Sequence, residues 1–422
     1  MVVKSTKKAA LGVIGLGLAL TLSLAISSCA TTGAGRNSSN LASGHSKEYY
    51  NTHFADGSSI VNSKSAFDSG NSILLTFAGD IMAHTPNWSK GNFPRIYKDI
   101  ELLIKESPLT FANLETPVAE NRPFSNYPAF NVHGDYAQAA IDAGFNVFSL
   151  ANNHTNDQGL NGIQQTKKYF DAKIEATKGS DRPVYAAGLK EKQNGPWSYQ
   201  VIQSGEWKIL FVAVTEILNS PVYSSYIDFL VPNSKNRSIF IEDMKALRKA
   251  HPCDIFIVSI HCSDPEYIFS IRSSQKNFYY SLLDAGADVI WCNHPHVSKD
   301  WEVIADEKNV PRKVIFYSMG NTISGQRTTP QFAKPETNRD YTGDGYITQV
   351  RFQRDKDSKI SIALVNPVIV TTYIAPDRFY EIRILDDDLI GGLNGQGQKR
   401  WGNYLRERKK LMEQFEGKTL WQ

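Results

Sequence analysis

The stretch "ADVIWCNHPHVSK", residues 287–299, joins a short apolar run to a polar end. The run 289–291 has the continuous apolar character of a strand that is buried on both faces, as in a parallel sheet. Two histidines, His294 and His296, follow directly after it. Because open α/β sheets bind their ligands at the carboxyl ends of such strands, the stretch predicts a site at this edge of a sheet.

The pattern of an apolar strand followed by polar residues recurs along the chain. We predict further strands at 72–80, 108–117, 146–151, 208–214, 254–260 and 313–317, and helices at 93–107, 136–144, 237–250 and 274–285. This alternation predicts an α/β fold. Two later segments, 345–355 and 359–373, alternate apolar and polar residues about a turn and predict an antiparallel hairpin. A basic amphipathic segment, 397–417, predicts a helix with one solvated face.

Polar side chains collect at the predicted strand ends, and five of the nine histidines are among them. The set is Gly79, Asp80, His84, Asn113, Glu115, Asn152, Asn153, His154, Asp157, His261, Glu266, His294, His296, Ser318, Gly320 and Asn321. Burying so many ionisable groups together is unfavourable by several kcal/mol unless a cation joins them. Imidazole nitrogens with carboxylate and amide oxygens suit Zn, Mn or Fe. The pattern therefore predicts two divalent metal ions at this edge.

The amino terminus has the features of an export signal. Lysines precede an apolar stretch, 9–26, and "ISSC" then places small residues before Cys29. This order resembles a bacterial lipoprotein signal over 1–29, in which Cys29 becomes the lipidated first residue; an uncleaved membrane anchor is the alternative. Residues 30–70 are rich in Ser, Gly, Asn and Thr, which predicts a flexible tether. We therefore expect an exported protein that is anchored to the cell membrane and faces the periplasm or exterior.

The composition narrows the classes of partner. The chain has 422 residues, of which 41% are hydrophobic, as in an ordinary globular protein. A net charge of +3 gives no general basic field, and we therefore expect no nucleic-acid partner. Besides Cys29 the chain has Cys253, Cys262 and Cys292. This odd number leaves at least one thiol free, and we interpret all three as small core residues.

Six motifs carry a family resemblance: "GDIMAH", "FANLETP", "NNHTNDQG", "HCSDPEY", "HPHV" and "YSMGN". In this order they resemble the bacterial capsule-synthesis CapA family, also called poly-γ-glutamate biosynthesis PgsA-type proteins, which is similar in turn to calcineurin-like metallophosphoesterases. The resemblance covers about 73–330 and implies a four-layer α/β/β/α sandwich of metallophosphoesterase type. We accordingly divide the body of the chain into a CapA-like domain, 71–375, and a C-terminal extension, 376–422, that contains the amphipathic helix.

The resemblance also implies roles for individual residues. The implied ligands are Asp80, His296 and the additional candidate His84 for a first ion, Asn153, His261 and His294 for a second, and Glu115 between them. His154 would be a general acid or contact a phosphate. Asp157 would orient His154 or cap the following helix.

Three positions depart from the family pattern. His84 lies four residues after Asp80, whereas the related phosphoesterases have Asp-x-His. The usual His-Trp-Gly-x-Glu is replaced by "HCSDPE", and Asn293 stands in place of a usual glycine. For "YSMGN", the simplest interpretation is a corner in which Gly320 adopts a conformation that other residues avoid.

Three functions remain open at this point. One is a role in the synthesis, anchoring or export of a surface polymer, either capsule or poly-γ-glutamate, with polymer-synthase membrane subunits as partners. The second is a surface metal-dependent phosphoesterase, and the third a binding lipoprotein with a vestigial site. The expected substrate is an anionic surface polymer or a phosphoester.

Overall fold

The computed structural model describes residues 71–415 and the backbone of 418–421. The predicted signal over 1–29, including Cys29, and the predicted tether over 30–70 lie outside the described residues. The strands are β1 (Ser72–Met82), β2 (Leu109–Glu115), β3 (Val147–Ser149), β4 (Tyr185–Ala187), β5 (Tyr199–Ser204), β6 (Trp207–Thr215), β7 (Ile255–His261), β8 (Val289–Asn293), β9 (Trp301–Ala305), β10 (Pro311–Phe316), β11 (Asn321–Ile323), β12 (Asp344–Arg354), β13 (Ile360–Ile374), β14 (Tyr380–Ile384) and β15 (Lys418–Trp421).

The helices lie mostly between these strands. They are α1 (Thr85–Trp88), α2 (Pro94–Tyr97), α3 (Glu101–Lys105), α4 (Gly134–Ala143), α5 (Gly159–Thr177), α6 (Ser234–Ala250), α7 (Ser273–Asp284), α8 (Asn338–Tyr341), α9 (Asp387–Gly395) and α10 (Lys399–Glu413). No helix in the described part of the chain is both long enough and apolar enough to cross a bilayer.

The strands form two sheets. The first has the order β14-β13-β12-β1-β2-β3-β4, with β11 also paired to β1, and the second has the order β15-β9-β10-β8-β7-β6-β5. Strands β1 to β4 are parallel, as are β6, β7, β8 and β10. The predicted hairpin is confirmed as β12 and β13, which pair antiparallel and extend the first sheet from β1.

The two sheets pack face to face through aromatic side chains. Phe77 and Phe111 of the first sheet stack at 4.8 Å between ring centroids, and both rings lie 6.1 Å from Trp291 of the second. The indole of Trp291 donates a hydrogen bond of 2.9 Å to the carbonyl of Ala78, which joins β8 to β1. The run at 289–291 that predicted a buried strand is therefore the centre of the interface between the sheets.

Helices cover both outer faces. Apolar side chains of α2 to α5, α9 and α10 pack on the first sheet, and those of α6 and α7, including Phe240 and Phe278, pack on the second. The predicted four-layer α/β/β/α sandwich is thus confirmed. Helix α10, within the segment 376–422, lies against the first sheet through Tyr404 and Leu405.

Two details of the sequence prediction are settled by the structure. The helix predicted over 93–107 is wrong as one element, because a turn at 98–100 separates α2 from α3. Apolar residues of both helices lie in one core. Cys253, Cys262 and Cys292 are all free thiols; the last two are buried, as predicted, and Cys253 is partly buried.

Candidate metal centre

The carboxylates of the candidate site come from neighbouring strands of the first sheet. Asp80 lies near the end of β1 and Glu115 ends β2, and both are fully buried. The register of β1 against β2 shifts between Phe77 and Asp80. This irregularity requires glycine, since a Cβ on Gly79 would lie 1.9 Å from the carbonyl oxygen of Gly320. The close approach fixes where the Asp80 carboxylate enters the site.

The imidazoles come from the second sheet. His261 ends β7, and His294 and His296 follow β8. The backbone of His294 has φ 104° and that of His296 has φ 55°, in the region that residues other than glycine rarely occupy. Non-glycine residues in such conformations cluster at binding and catalytic sites, where the surrounding structure holds them. The turn therefore directs both imidazoles to the edge where Asp80 and Glu115 lie.

Asp80 and His296 form one half of the cluster. The Nδ1 atom of His296 lies 3.1 Å from Oδ2 of Asp80 and 3.0 Å from Oδ1 of Asn321. Asn113 donates a hydrogen bond of 2.8 Å from Nδ2 to Oδ1 of Asp80. These amides hold the carboxylate and the ring in place.

His261, His294 and Asn153 form the other half. The Nε2 atom of His261 lies 2.9 Å from Oδ1 of Asn153 and 3.2 Å from Nδ1 of His294. We call Asp80, Glu115, Asn153, His261, His294 and His296 together the ligand cluster; the role of each side chain as a ligand stays a prediction.

Glu115 lies between the two halves. Its Oε1 atom is 3.6 Å from Nε2 of His296 and 3.8 Å from Nε2 of His261. Ligand atoms of Glu115, His294 and His296 all lie within 4.8 Å of one another, and so do those of Asp80, Glu115 and His261. Glu115 is common to both groups, and each group takes residues from both halves of the cluster, so the division of ligands between two ions stays a prediction.

The donor set of the ligand cluster fits a cation. Neither carboxylate oxygen of Glu115 receives a hydrogen bond from any described residue, although the side chain is fully buried. Burial, followed by the charge of Asp80, raises the pKa of Glu115 well above its ordinary value. A buried carboxylate without a donor or counter-ion is unfavourable, and a divalent cation supplies what it lacks.

The environment of the three imidazoles shifts their pKa values. Burial lowers the pKa values of His261 and His294 well below the ordinary value, with neighbouring histidines as the next cause. Burial acts in the same direction on His296, but the hydrogen bond and charge of Asp80 outweigh it and raise its pKa. Neutral imidazole is the form that binds metal ions, so the lowered pKa values of His261 and His294 favour metal binding by these two rings.

His154 and Asp157 form a separate pair beside Asn153. The carboxylate oxygen Oδ2 of Asp157 lies 2.6 Å from Nδ1 of His154 and also accepts a hydrogen bond of 2.7 Å from the backbone N–H of Phe130. Asp157 thus contacts His154. It does not cap helix α5, because the amino terminus of this helix has no side-chain cap. The carboxylate can only accept, and it therefore holds the proton of His154 on Nδ1.

Among the predicted histidine, aspartate and glutamate ligands in the described part of the chain, His84 alone lies outside both metal-ligand groups. Its Nδ1 atom accepts a hydrogen bond of 3.2 Å from the backbone N–H of Gly325, and its ring lies 4.9 Å from that of Phe130. Burial, then the charges of His296 and His154, lowers its pKa to about 3. His84 thus lies near the cluster, with one ring nitrogen engaged elsewhere.

Several residues around the cluster have contacts that sequence reasoning did not assign. Asn113 and Asn321 were recognised as polar strand ends, but their hydrogen bonds to Asp80 and His296 were not predicted. Asn219 contacts both Asn153 and His154 from the loop after β6, a segment without any motif.

Asn293, which replaces the family glycine, keeps an extended backbone within β8, and neither atom of its buried side-chain amide has a partner among the described residues. The predicted left-handed conformation of Gly320 is confirmed at φ 71°.

Comparison with known proteins agrees with the motifs. The model of the family described as bacterial capsule synthesis protein PGA_cap matches residues 74–326. The chain is 26% identical over 269 residues to the capsule biosynthesis protein CapA of Bacillus anthracis, in an alignment that covers 61% of each protein. It is also 26% identical over 267 residues to the PGA biosynthesis protein CapA of Bacillus subtilis, covering 61% of this chain and 64% of that protein. The chain thus spans less than two thirds of the length of these curated relatives.

Two solved structures are more distantly similar. A hypothetical protein from Thermus thermophilus is 16% identical with a TM-score of 0.38, covering 70% of this chain and 98% of that one. A putative 5'-nucleotidase from Staphylococcus aureus in complex with alpha-ketoglutarate is 15% identical with a TM-score of 0.40, covering 73% of this chain and 56% of that one.

Proposed function

The chain belongs to the bacterial capsule synthesis protein PGA_cap family, and we propose that it is an exported, membrane-tethered member that binds two divalent cations in the ligand cluster and acts in the synthesis, anchoring or export of a surface polymer. The observation that carries the metal centre is Glu115, whose fully buried carboxylate has no donor among the described residues and is common to two ligand groups. The family and the curated relatives support the polymer role.

The residues of the cluster would divide between two ions. Asp80 and His296 would hold one cation, Asn153, His261 and His294 the other, and Glu115 would contact both; Mn, Zn and Fe all suit these donors. Such ions, when bound, polarise a substrate oxygen as Lewis acids. Asn113 and Asn321 keep Asp80 and His296 in position, and burial of the whole cluster excludes bulk water.

Metal analysis of the full-length chain, purified in mild detergent, tests the metal centre. We expect about two equivalents of divalent metal per chain, a marked loss in His294→Ala, and no loss in His251→Ala. His251 is a matched control because its ring lies beside Tyr199, outside the ligand cluster. A wild-type chain that retains no metal after incubation with Mn²⁺ or Zn²⁺ would contradict the proposal.

A strain that carries only the His294→Ala protein tests the polymer role. We expect less surface polymer at normal protein abundance, whereas the His251→Ala strain should match the wild type. Unchanged polymer in the His294→Ala strain would separate the metal centre from polymer production.

The membrane tether rests on the sequence of the first 29 residues. We propose that Cys29 is lipidated after export. Metabolic labelling with a fatty-acid analogue should mark the wild-type protein and leave Cys29→Ser unlabelled; equal labelling of both would contradict the assignment.

A second candidate function, hydrolysis of a phosphoester, is favoured by the pairing of His154 with Asp157. An imidazole held by a buried carboxylate beside a metal centre is suited to donate a proton to a leaving group. We expect the metal-loaded chain to hydrolyse bis(p-nitrophenyl) phosphate and His154→Ala to slow this about 10²-fold or more at saturating substrate. Hydrolysis that survives His296→Ala undiminished would rule out the ligand cluster as its source.

A further inference from the structure

The loop that follows β6 is fastened to the turn that carries Asn153 and His154. The backbone N–H of Asn219 donates a hydrogen bond of 3.1 Å to the carbonyl of Asn153. A few residues on, the side chain of Asn156 donates to the carbonyls of Ser220 and Val222 at 2.8 and 2.7 Å. The loop is therefore held against the second half of the ligand cluster by both backbone and side-chain bonds.

The side chain of Asn219 distinguishes the two ends of the Asn153 amide. Nδ2 of Asn153 donates a hydrogen bond of 3.2 Å to Oδ1 of Asn219, and Oδ1 of Asn153 lies 2.9 Å from Nε2 of His261. An asparagine side chain has nearly the same shape at both ends, but only its oxygen can bind a cation. The bond to Asn219 consequently keeps the oxygen turned toward the other ligands.

The orientation of Asn219 is itself determined by its other neighbours. Its Nδ2 atom lies 3.2 Å from Nδ1 of His154, and its side chain partly offsets the rise that burial causes in the pKa of the neighbouring Asp157 carboxyl. With Nδ2 on the side of His154, Oδ1 is the end of Asn219 that faces Asn153 and accepts its hydrogen bond. Asn153 and the His154–Asp157 pair therefore lie at opposite ends of the Asn219 amide.

We propose that Asn219 is a positioning residue for the metal centre: it fixes the Asn153 amide with its oxygen toward His261 and couples that orientation to the His154–Asp157 pair. The inference rests on the proposed function, in which Asn153 binds the second cation. Asn219 touches no reacting atom in this scheme, and it acts through Asn153.

Calorimetric titration of the full-length chain with Mn²⁺ in mild detergent, which measures the affinity of each site, tests the proposal. We expect Asn219→Leu to weaken Mn²⁺ binding at the second site about 10-fold or more, the usual effect of removing a group that orients a ligand. Ser220→Ala is the matched control, because it changes the neighbouring side chain of the same loop, whose hydroxyl, among the described residues, only accepts a hydrogen bond of 3.3 Å from the backbone N–H of Val222, and its affinity should stay within about twofold of the wild type.

A double-mutant cycle separates positioning from a general structural effect. If Asn219 acts through Asn153, then Asn153→Ala combined with Asn219→Leu should bind Mn²⁺ no more weakly than Asn153→Ala alone. Additive losses, or an unchanged affinity in Asn219→Leu, would overturn the proposal. Should Asn219→Leu fail to fold, the smaller change Asn219→Ala removes the same hydrogen bond to Asn153 and replaces it in the cycle, with the same expected and contrary outcomes.

The outcomes distinguish this inference from the proposed function. A wild-type chain that binds no Mn²⁺ overturns both, whereas a wild-type chain with two sites and an unaffected Asn219→Leu variant overturns only the role of Asn219.

Discussion

Two buried polar clusters lie close together in this molecule, and they differ in whether their buried carboxylates have counter-ions within the protein. One is the ligand cluster. The other, which we call the ion-pair cluster, consists of Asp344 on β12 with Arg327 and Arg408, all three at most 1% exposed. Gly345, next to Asp344, bridges to Gly320, whose carbonyl accepts the N–H of Asp80. The two clusters therefore share a short stretch of backbone.

The carboxylate of the ion-pair cluster has its own counter-ions. Arg327 Nη1 donates to one oxygen of Asp344 at 2.8 Å, and Arg408 Nε donates to the other at 2.6 Å. Arg327 Nη2 donates further to Thr371 and to the carbonyl of Thr372, both at 2.7 Å. Because Arg408 belongs to α10, this cluster also fastens the C-terminal helix to the first sheet.

The carboxylate of the ligand cluster has no such partner. Glu115 is as deeply buried as Asp344, but it faces another carboxylate and three imidazoles, and no arginine or lysine pairs with it among the described residues. A buried charge that carries its own counter-ions holds the fold together, whereas one that lacks them marks a place where a cation from outside is required. Matched carboxylate-to-amide substitutions in the two clusters should separate these cases.

The largest expected effect is that of Asp344→Asn. The change leaves two guanidinium groups buried without a carboxylate, and removing one partner of such a buried network lowers the free energy of unfolding by about 3–5 kcal/mol. Urea denaturation in the presence of a chelator measures this loss. Asp357→Asn, in the exposed turn between β12 and β13, is the control and should change the free energy by less than about 0.5 kcal/mol. A loss of similar size in both variants would contradict the assignment.

In the metal-free chain, Glu115→Gln should raise the free energy of unfolding, whereas Asp344→Asn lowers it. The amide removes a buried negative charge and can donate a hydrogen bond to the carboxylate of Asp80. The free energy of unfolding of the metal-free chain should therefore rise by about 1–2 kcal/mol. The same variant should lose its stoichiometric metal, as metal analysis would show, and its stability should no longer rise when Mn²⁺ is added. A Glu115→Gln chain that is less stable without metal and still binds Mn²⁺ would show that Glu115 is a structural carboxylate.

The architecture was predictable because the central strands have simple patterns. The runs at 208–214 and 254–260 are mostly apolar, and the strands predicted there correspond to β6 and β7 within one or two residues. Strands β5 and β9 were missed, since they are short antiparallel partners toward the sheet edges whose residues are partly exposed or mixed in polarity. The turn at 98–100 was missed because the helical spacing of apolar residues continues through it, and the residues of α2 and α3 lie in the same core.

The sequence was enough to predict which residues gather at the candidate site, but not which side chains contact one another there. Asp80, Glu115 and His294 stand at strand ends, and parallel strands bring their carboxyl ends to one edge. Asn219 could not be found, because its loop has no motif and its role depends on which turn it meets in space. The same holds for Arg327 and Arg408, which are ordinary charged residues in the sequence until the fold places both against Asp344.

The smallest expected effect concerns the pH dependence of the Asp344 contribution. Burial alone would raise the pKa of Asp344, but the charges of Arg327 and Arg408 outweigh it and hold the pKa below the ordinary value of 3.8. The stabilisation is therefore complete above that value and is lost as the pH falls through the pKa of the folded state. The difference in free energy of unfolding between the wild type and Asp344→Asn should stay constant from about pH 5 to pH 8 and shrink only below about pH 4. Urea denaturation at a series of pH values measures it, and a difference that already shrinks between pH 8 and pH 5 would mean that Asp344 is not held ionised by its two arginines.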